Sequence, residues 1–129
     1  MPVLAPWPPA ARVVGAVVSG LGVVLGETGT DLQTLVLTGQ VLRVRRIGGA
    51  GDRFTDIARI DLRVYAVDLS DAEQTAETAR QLLLSGPTAT LHGVLDRAEV
   101  EVGPQEVPGP DPDHYRVVST TYRVSIRRR

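Results

Sequence analysis

Residues 58–66 alternate between apolar and polar side chains, and this pattern constrains the fold more than any other part of the sequence. The apolar positions are Ala58, Ile60, Leu62, Val64 and Ala66. The intervening positions carry Arg59, Asp61, Arg63 and Tyr65. Because successive side chains of a strand point to opposite faces, the pattern predicts a strand with one face in a core and the other in water or against a partner.

The length of 129 residues predicts a single domain, residues 1–129, because two separate cores would each be too small to be stable. Cysteine is absent, which excludes disulfides, thiolate nucleophiles and cysteine-based metal sites. Fourteen basic residues, all arginine, balance fifteen acidic ones to a net charge of -1. This balance argues against a protein whose main task is to hold nucleic acid.

Three further segments have the character of strands. Residues 41–47 and 95–102 are rich in valine with intervening charges, and residues 115–127 alternate around Val118, Tyr122 and Val124. Gly48-Gly49-Ala50-Gly51-Asp52 predicts a loop after the first segment, and prolines across residues 103–113 predict a stiff extended loop before the last.

Two helices are predicted. The first spans about residues 9–26, where valines and leucines recur at helical spacing, although the many valines make a strand the competing interpretation. The second spans residues 71–85, where Ser70 and Glu73 have the spacing of a capping box. Its apolar stripe consists of Ala72, Ala76, Ala79, Leu82 and Leu83. The small residues in this stripe allow close packing on a sheet.

The order helix, strand, strand, helix, strand, strand predicts an α+β fold. We expect a mainly antiparallel four-stranded sheet with two helices packed on one face. The pattern at residues 28–38 is irregular and decides neither helix nor strand. The weakly polar stretch between Arg12 and Glu27 is shorter than the roughly 20 residues of a membrane span, so a buried helix is the expectation and no membrane partner is expected.

The sequence offers little catalytic chemistry. His92 and His114 lack the spacing that aims two ligands at one metal, and no Gly-x-Ser-x-Gly elbow is present. The glycines at 20, 22 and 26 lack the strand–turn–helix context of a dinucleotide site. Those at 48, 49 and 51 lack the ending of a P-loop. We therefore expect no metal, no cofactor and no enzymatic activity.

Residues 41–84 resemble the tail terminator proteins of long-tailed phages, especially those of actinobacterial hosts. The resemblance rests on Arg46-Ile47-Gly48-Gly49, the polar loop at 52–56, the alternating strand and the alanine-rich helix. Downstream, Val102-Gly103-Pro104 and Pro110-Asp111-Pro112 extend it to roughly the last two thirds of the chain. The valine- and glycine-rich first third departs from the pattern.

The resemblance implies a subunit of a hexameric ring in the neck of the virion, at the top of the tail. Such a ring caps the head-proximal end of the tail tube, stops tube polymerisation and joins the head-tail connector, with genomic DNA passing through its lumen without sequence-specific binding. Assembly would take place in the host cytoplasm. Two alternatives stay open: a head-tail joining or neck protein, and a ferredoxin-like small-molecule-binding regulatory domain.

In this role an arginine-bearing sheet face and its adjoining loop would be covered by neighbours in a cyclic interface. The residues expected to contact another subunit or the tail tube are Arg46, Gly48, Gly49, Asp52, Arg53, Phe54, Arg59, Arg63 and Tyr65. Phe54 could anchor in a partner pocket or tuck into its own core. The terminal Arg127, Arg128 and Arg129 could contact DNA or an acidic partner, or remain solvated.

Overall fold

A computed structural model of the chain describes residues 8–25, 36, 39–51 and 55–127. Several sequence-based predictions lie outside these residues. They are the interface assignments of Asp52, Arg53, Phe54, Arg128 and Arg129. Most of residues 28–38, whose structure the sequence does not decide, also lies outside them.

Two α-helices and six strands follow one another along the described residues. Their bounds are α1 (Ala10–Val18), β1 (Val23–Leu25), β2 (Val41–Gly51), β3 (Asp56–Ala66), α2 (Leu69–Leu84), β4 (Thr88–Ala89), β5 (Val94–Val107) and β6 (Arg116–Arg127). A 3₁₀ turn at Ser19–Leu21 separates α1 from β1.

The strands form one six-stranded mixed sheet in the order β1-β2-β3-β6-β5-β4, curved into a half-barrel. β1 pairs with β2 in parallel, and the other neighbours are antiparallel. The expected four-stranded, mainly antiparallel sheet is therefore wrong, although its four strands are the central ones. β1 and β4 have three and two residues, too few to produce a period-two pattern.

The first helix is shorter than its valine periodicity predicts. α1 ends at Val18, and Val23–Leu25 form β1, so the competing strand interpretation holds for the second half of the segment. Valine favours strands, which explains why the helix does not continue. At Gly22 a Cβ atom would collide with the backbone carbonyl oxygen of Gln40. Glycine therefore allows the two backbones to approach closely just before β1 pairs with β2.

β2 continues through the glycines that predicted a loop at 48–52. The register with β3 shifts between Arg46 and Gly48, which makes Ile47 the extra residue of a β-bulge, and pairing resumes to Gly51 and Asp56. Gly49 has a φ of 113°, and a Cβ there would collide with the carbonyl oxygen of Ile57. These glycines thus extend a hairpin instead of ending a strand.

β5 is also longer than predicted, because it continues through Gly103 and Pro104 to Val107. Its pairing with β6 shifts register at three places, including between Val102 and Gln105, where Pro104 lies. A bulge in an outer strand tolerates the missing N–H of proline. The predicted proline-rich loop therefore begins after Val107.

Helix α2 begins two residues before the predicted start. Asp68 caps it by accepting a hydrogen bond from the Ser70 backbone N–H at 3.1 Å, so the predicted Ser70–Glu73 capping box is wrong. The buried stripe consists of Ala72, Ala76, Ala79 and Leu83. Leu82, expected in the stripe, is 38% exposed.

The main core lies between one face of the sheet and the two helices. It joins Val13 and Val14 of α1 and Leu83 of α2 to the inward residues of β2, β3, β5 and β6. A second, smaller apolar cluster lies on the opposite face. It consists of Val36, Val41, Tyr65, Tyr115 and Val117, with the two tyrosine rings edge to face at 5.8 Å.

Tyr122 fills the centre of the main core, and its hydroxyl has no hydrogen-bond partner among the residues the structure describes. Burial raises the pKa of this phenol above its ordinary value. An unpaired buried hydroxyl costs about 1–3 kcal/mol of desolvation. The aromatic ring, not the hydroxyl, is therefore what stabilises the fold here.

Tyr122→Phe should leave the free energy of unfolding unchanged or raise it by up to about 1 kcal/mol, because it removes only the unpaired hydroxyl. Urea titration followed by circular dichroism would measure this. Tyr122→Ala is the control, and it should lose about 3–5 kcal/mol because it empties the same space. A clear loss of stability in Tyr122→Phe would mean that the hydroxyl has a partner.

Candidate assembly surface

The face of the sheet opposite the helices is polar over most of its area. The residues that the register of the four central strands places there include Arg43, Arg45, Arg59, Arg63, Arg97 and Arg123, with Asp61 and Glu99. Glu101 joins them through its ion pair with Arg59. Among these nine residues of the arginine face, positive charges exceed negative ones by three. The arginine face is an electrostatic surface suited to an acidic partner.

The register places arginines directly opposite one another at two points of the arginine face. Arg43 lies opposite Arg63, and Arg59 lies opposite Arg123. Like charges opposite one another in a sheet destabilise it. The arrangement therefore costs stability in the isolated subunit unless other groups offset it.

Asp61 offsets the first of these arginine pairs. Its carboxylate accepts hydrogen bonds from Arg63 at 2.9 Å and from the Ser119 hydroxyl at 2.6 Å, while the register places Arg45 opposite it. Burial lowers the pKa of Arg63, but its interactions with Asp61 and Tyr65 raise it, and the net shift is upward. Arg63 stays charged and its side chain is held in place.

Glu101 offsets the second pair. It forms an ion pair with Arg59, and the register places Glu99 opposite Arg123. Arg59 and Glu101 keep 46% and 34% of their side chains exposed, so the pair contributes little to stability by itself. The groups remain accessible to a partner.

The ion pair between Arg46 and Asp56, in the β2–β3 hairpin, is better enclosed than the pair between Arg59 and Glu101. The guanidinium of Arg46 donates two hydrogen bonds to the carboxylate of Asp56, at 2.6 and 2.9 Å, and the Asp56 side chain is only 4% exposed. The hydrogen bond to Asp56 raises the pKa of Arg46. This bidentate contact ties the bulged strand to the start of β3.

Asp56→Asn should lower the free energy of unfolding by about 1–3 kcal/mol, because it removes the charge that Arg46 contacts in a nearly buried position. Glu101→Gln is a matched control at an exposed pair and should cost less than about 1 kcal/mol. Urea unfolding of both variants tests this. Equal losses in the two would show that enclosure of the Asp56 carboxylate adds nothing.

The structure separates the predicted interface residues into distinct environments. Gly48 and Gly49 lie in the hairpin beyond the bulge, and Arg59 and Arg63 lie on the arginine face. Tyr65 is 3% exposed and packs in the second apolar cluster. Arg127 donates a hydrogen bond to Asp96 at 2.7 Å, which ties the end of β6 to β5.

Each long outer strand of the sheet is covered over only a short stretch. Among the described residues, β1 pairs with β2 only at residues 41–43, and β4 pairs with β5 only at Leu95 and Val94. Residues 44–51 and 96–107, which no described strand covers on their outer side, are called the two open edges, and they lie at opposite ends of the four central strands. Open edges offer unpaired backbone groups to a partner.

The two open edges belong to strands of opposite charge. β2 contains Arg43, Arg45 and Arg46 and no acidic residue. β5 contains four acidic residues, Asp96, Glu99, Glu101 and Glu106, against Arg97 alone. The strands thus carry net charges of three positive and three negative, so one end of the sheet complements the other.

Sequence reasoning found the arginines but not the carboxylates that hold them. Asp56, Asp61 and Glu101 gained their roles from pairing between strands, which a single sequence does not reveal. The acidic alternation Glu99-Val100-Glu101 was a usable signal, because it matches the arginine alternation of β2 in period and opposes it in sign.

The two histidines lie in different connecting segments. His114 contacts Asp111 at 2.7 Å in the loop before β6, and His92 lies in the turn before β5. No group of three or more potential metal ligands occurs among the described residues. None of the described helices has the length and apolar character to cross a membrane.

Comparison with known proteins identifies the family. A family model described as phage tail termination protein matches residues 14–129. The chain belongs to this family. The match begins within α1, so the family relationship of this chain extends well beyond the last two thirds that its motifs indicated.

The fold of the chain also has a counterpart among solved structures. A chain from the virion of a native gene transfer agent particle is similar over 92% of this chain and 87% of its own, with a TM-score of 0.58 and 13% sequence identity. At this identity the similarity concerns the fold alone. A search of curated proteins found no significant match.

Proposed function

We propose that this tail terminator is a non-enzymatic structural subunit of the virion, located at the top of the tail. Copies of the chain form a ring, hexameric by analogy with the family it resembles, that caps the head-proximal end of the tail tube. The ring stops tube polymerisation and joins the tail to the head-tail connector. Genomic DNA passes through its lumen without sequence-specific binding.

The family match over residues 14–129 is the observation that carries this proposal. The sheet supports it in a second way, because two uncovered edges and a polar face suit a subunit that neighbours enclose. The fold shared with a chain of a gene transfer agent virion agrees with a place in a particle. The family match also favours this role over a ferredoxin-like regulatory domain.

Contacts with other subunits and with the tail tube would come from the β2–β3 hairpin and the arginine face. Arg46, Gly48 and Gly49 supply the hairpin part, and Arg59 and Arg63 supply the face. Asp52, Arg53 and Phe54, which follow β2 in the sequence, belong to the same proposal. Tyr65 supports that face from the second apolar cluster. Arg127, followed by Arg128 and Arg129, would contact DNA or an acidic partner.

Disruption of this gene in the parent phage or prophage tests the proposal. Negative-stain microscopy of the lysate should show filled heads beside unattached, overlong tails, because uncapped tubes continue to grow. A plasmid copy of the wild-type gene should restore tails of normal length joined to heads.

Two other results would contradict the proposal. Tails of normal length that fail to join heads would assign the chain to the neck as a head-tail joining protein. Unaltered virions would exclude both assembly roles.

A further inference from the structure

The charge on the two outer long strands suggests how neighbouring copies meet. β2 and β5 lie at opposite ends of the four central strands, and they carry net charges of three positive and three negative. A cyclic ring brings one surface patch of each subunit against a different patch of the next. Two complementary edges on one sheet meet that requirement.

We infer that the open edge of β2 in one copy binds the open edge of β5 in the next copy, head to tail. This inference rests on the proposed ring. The acidic residues Glu99 and Glu101 of one subunit then approach Arg45, on the open edge of the neighbour's β2, and Arg43, which is part-buried on the adjoining stretch that β1 covers. Residues 44–51 and 96–107 supply the facing edges.

The charged groups involved are accessible in the isolated subunit. Glu99 is 51% exposed in its ion pair with Arg97, and Arg45 is exposed on β2. The ion-pair partners of Glu99 and Glu101 within the subunit, Arg97 and Arg59, are 75% and 46% exposed, so water screens these pairs and exchange for a partner across an interface costs little. Burial in the interface would lower the local dielectric and strengthen each attraction.

The irregular backbone of both edges limits how they pair. β2 has a bulge at Ile47, and β5 has register shifts and Pro104. Such features prevent indefinite edge-to-edge addition of strands. Charge complementarity therefore selects the neighbour, and the bulges stop the sheets from joining as a regular ladder.

Two charge-reversed variants test this arrangement. In the β2 variant, Arg43→Glu with Arg45→Glu changes the strand from three positive charges to one negative. In the β5 variant, Glu99→Arg with Glu101→Arg changes three negative charges to one positive. Arg46 is kept because it holds Asp56.

Each variant is supplied alone, and both are supplied together, to the phage with the disrupted gene. Either variant alone places like charges at every subunit boundary, so tails should be overlong and unattached. Supplied together, the variants can alternate around a ring with an even number of subunits, and every boundary again joins opposite charges. Tails of normal length joined to heads should return.

Folding and general charge effects are controlled separately. Circular dichroism melting of each purified variant shows whether it folds. If the two introduced arginines prevent the β5 variant from folding, the neutral double variant Glu99→Gln with Glu101→Gln replaces it. The neutral variant should need at least about tenfold more protein for half-maximal rescue. Glu73→Arg, on the exposed surface of α2, is the matched control and should rescue like wild type.

The outcomes separate this inference from the proposed function. If wild type rescues and each variant alone also rescues, the edges do not meet and the terminator role stands. If folded variants fail both alone and together, charge complementarity between these edges is likewise overturned. If disruption of the gene leaves virions unaltered, the proposed function itself fails.

Discussion

Leu83→Asp should leave the chain largely unfolded near room temperature, so that no cooperative unfolding transition is seen. Leu83 is 1% exposed and joins α2 to the main core, together with three alanines that bury little surface of their own. An unpaired carboxylate at this position loses apolar contacts and also its hydration. The combined loss, at least about 4 kcal/mol, is comparable with the whole stability of a small domain.

Leu82→Asp is the matched control, since it makes the same chemical change one residue away. Leu82 is 38% exposed, so its carboxylate would remain in water and cost less than about 1 kcal/mol. Urea unfolding followed by circular dichroism compares the two variants. Similar midpoints for both would show that α2 does not dock on the sheet through its Leu83 face.

Gly49→Val should be the second most damaging substitution. The φ of 113° at Gly49 is an outlier for any β-branched residue, and a Cβ atom would collide with backbone atoms of Ile57 and Ala58. The collision partners are backbone, so no side-chain rotation can relieve them. We expect a loss of at least about 3 kcal/mol, together with loss of hydrogen-exchange protection in the β2–β3 hairpin.

Gly48→Ala controls for the loss of a glycine in the same hairpin. A Cβ there would meet only the Cδ atom of Arg59, at an ordinary 3.8 Å. Its free energy of unfolding should change by less than about 1 kcal/mol. If Gly49→Val proves as mild as this control, the hairpin does not need the left-handed backbone at Gly49.

The central architecture could be predicted because its signals are local and repetitive. The alternation of residues 58–66 located β3, the last strand followed the same rule, and the alanine stripe located α2. These elements are long enough for one face to be buried throughout. Periodicity therefore carried the information.

The errors occurred where tertiary contacts override local preference. Glycines and prolines at 48–51 and 103–104 predicted loops, but the neighbouring strands β3 and β6 hold both segments in the sheet through bulges. Asp68 and Ser70 are both good caps, and the structure shows Asp68 in this position. β1 depends on a parallel partner that lies beyond a long gap in sequence.

The candidate assembly surface could likewise be predicted only in part. Arg59 and Arg63 at alternate positions of β3 were visible in the sequence, so a charged face of this strand could be predicted. Which arginines face each other, and which carboxylates hold them, depends on register across strands. The opposite charges of the two edges became meaningful only when the strand order put β2 and β5 at opposite ends of the central sheet.

The position of β6 sets an order of events during synthesis. This strand pairs with β3 on one side and β5 on the other, so residues 116–127 fill the middle of the sheet. While β6 is still inside the ribosome, the rest of the chain contains two separate pieces of sheet that cannot join. The strand translated last among those described thus unites the subunit, and no neighbour can dock on a complete sheet before it is in place.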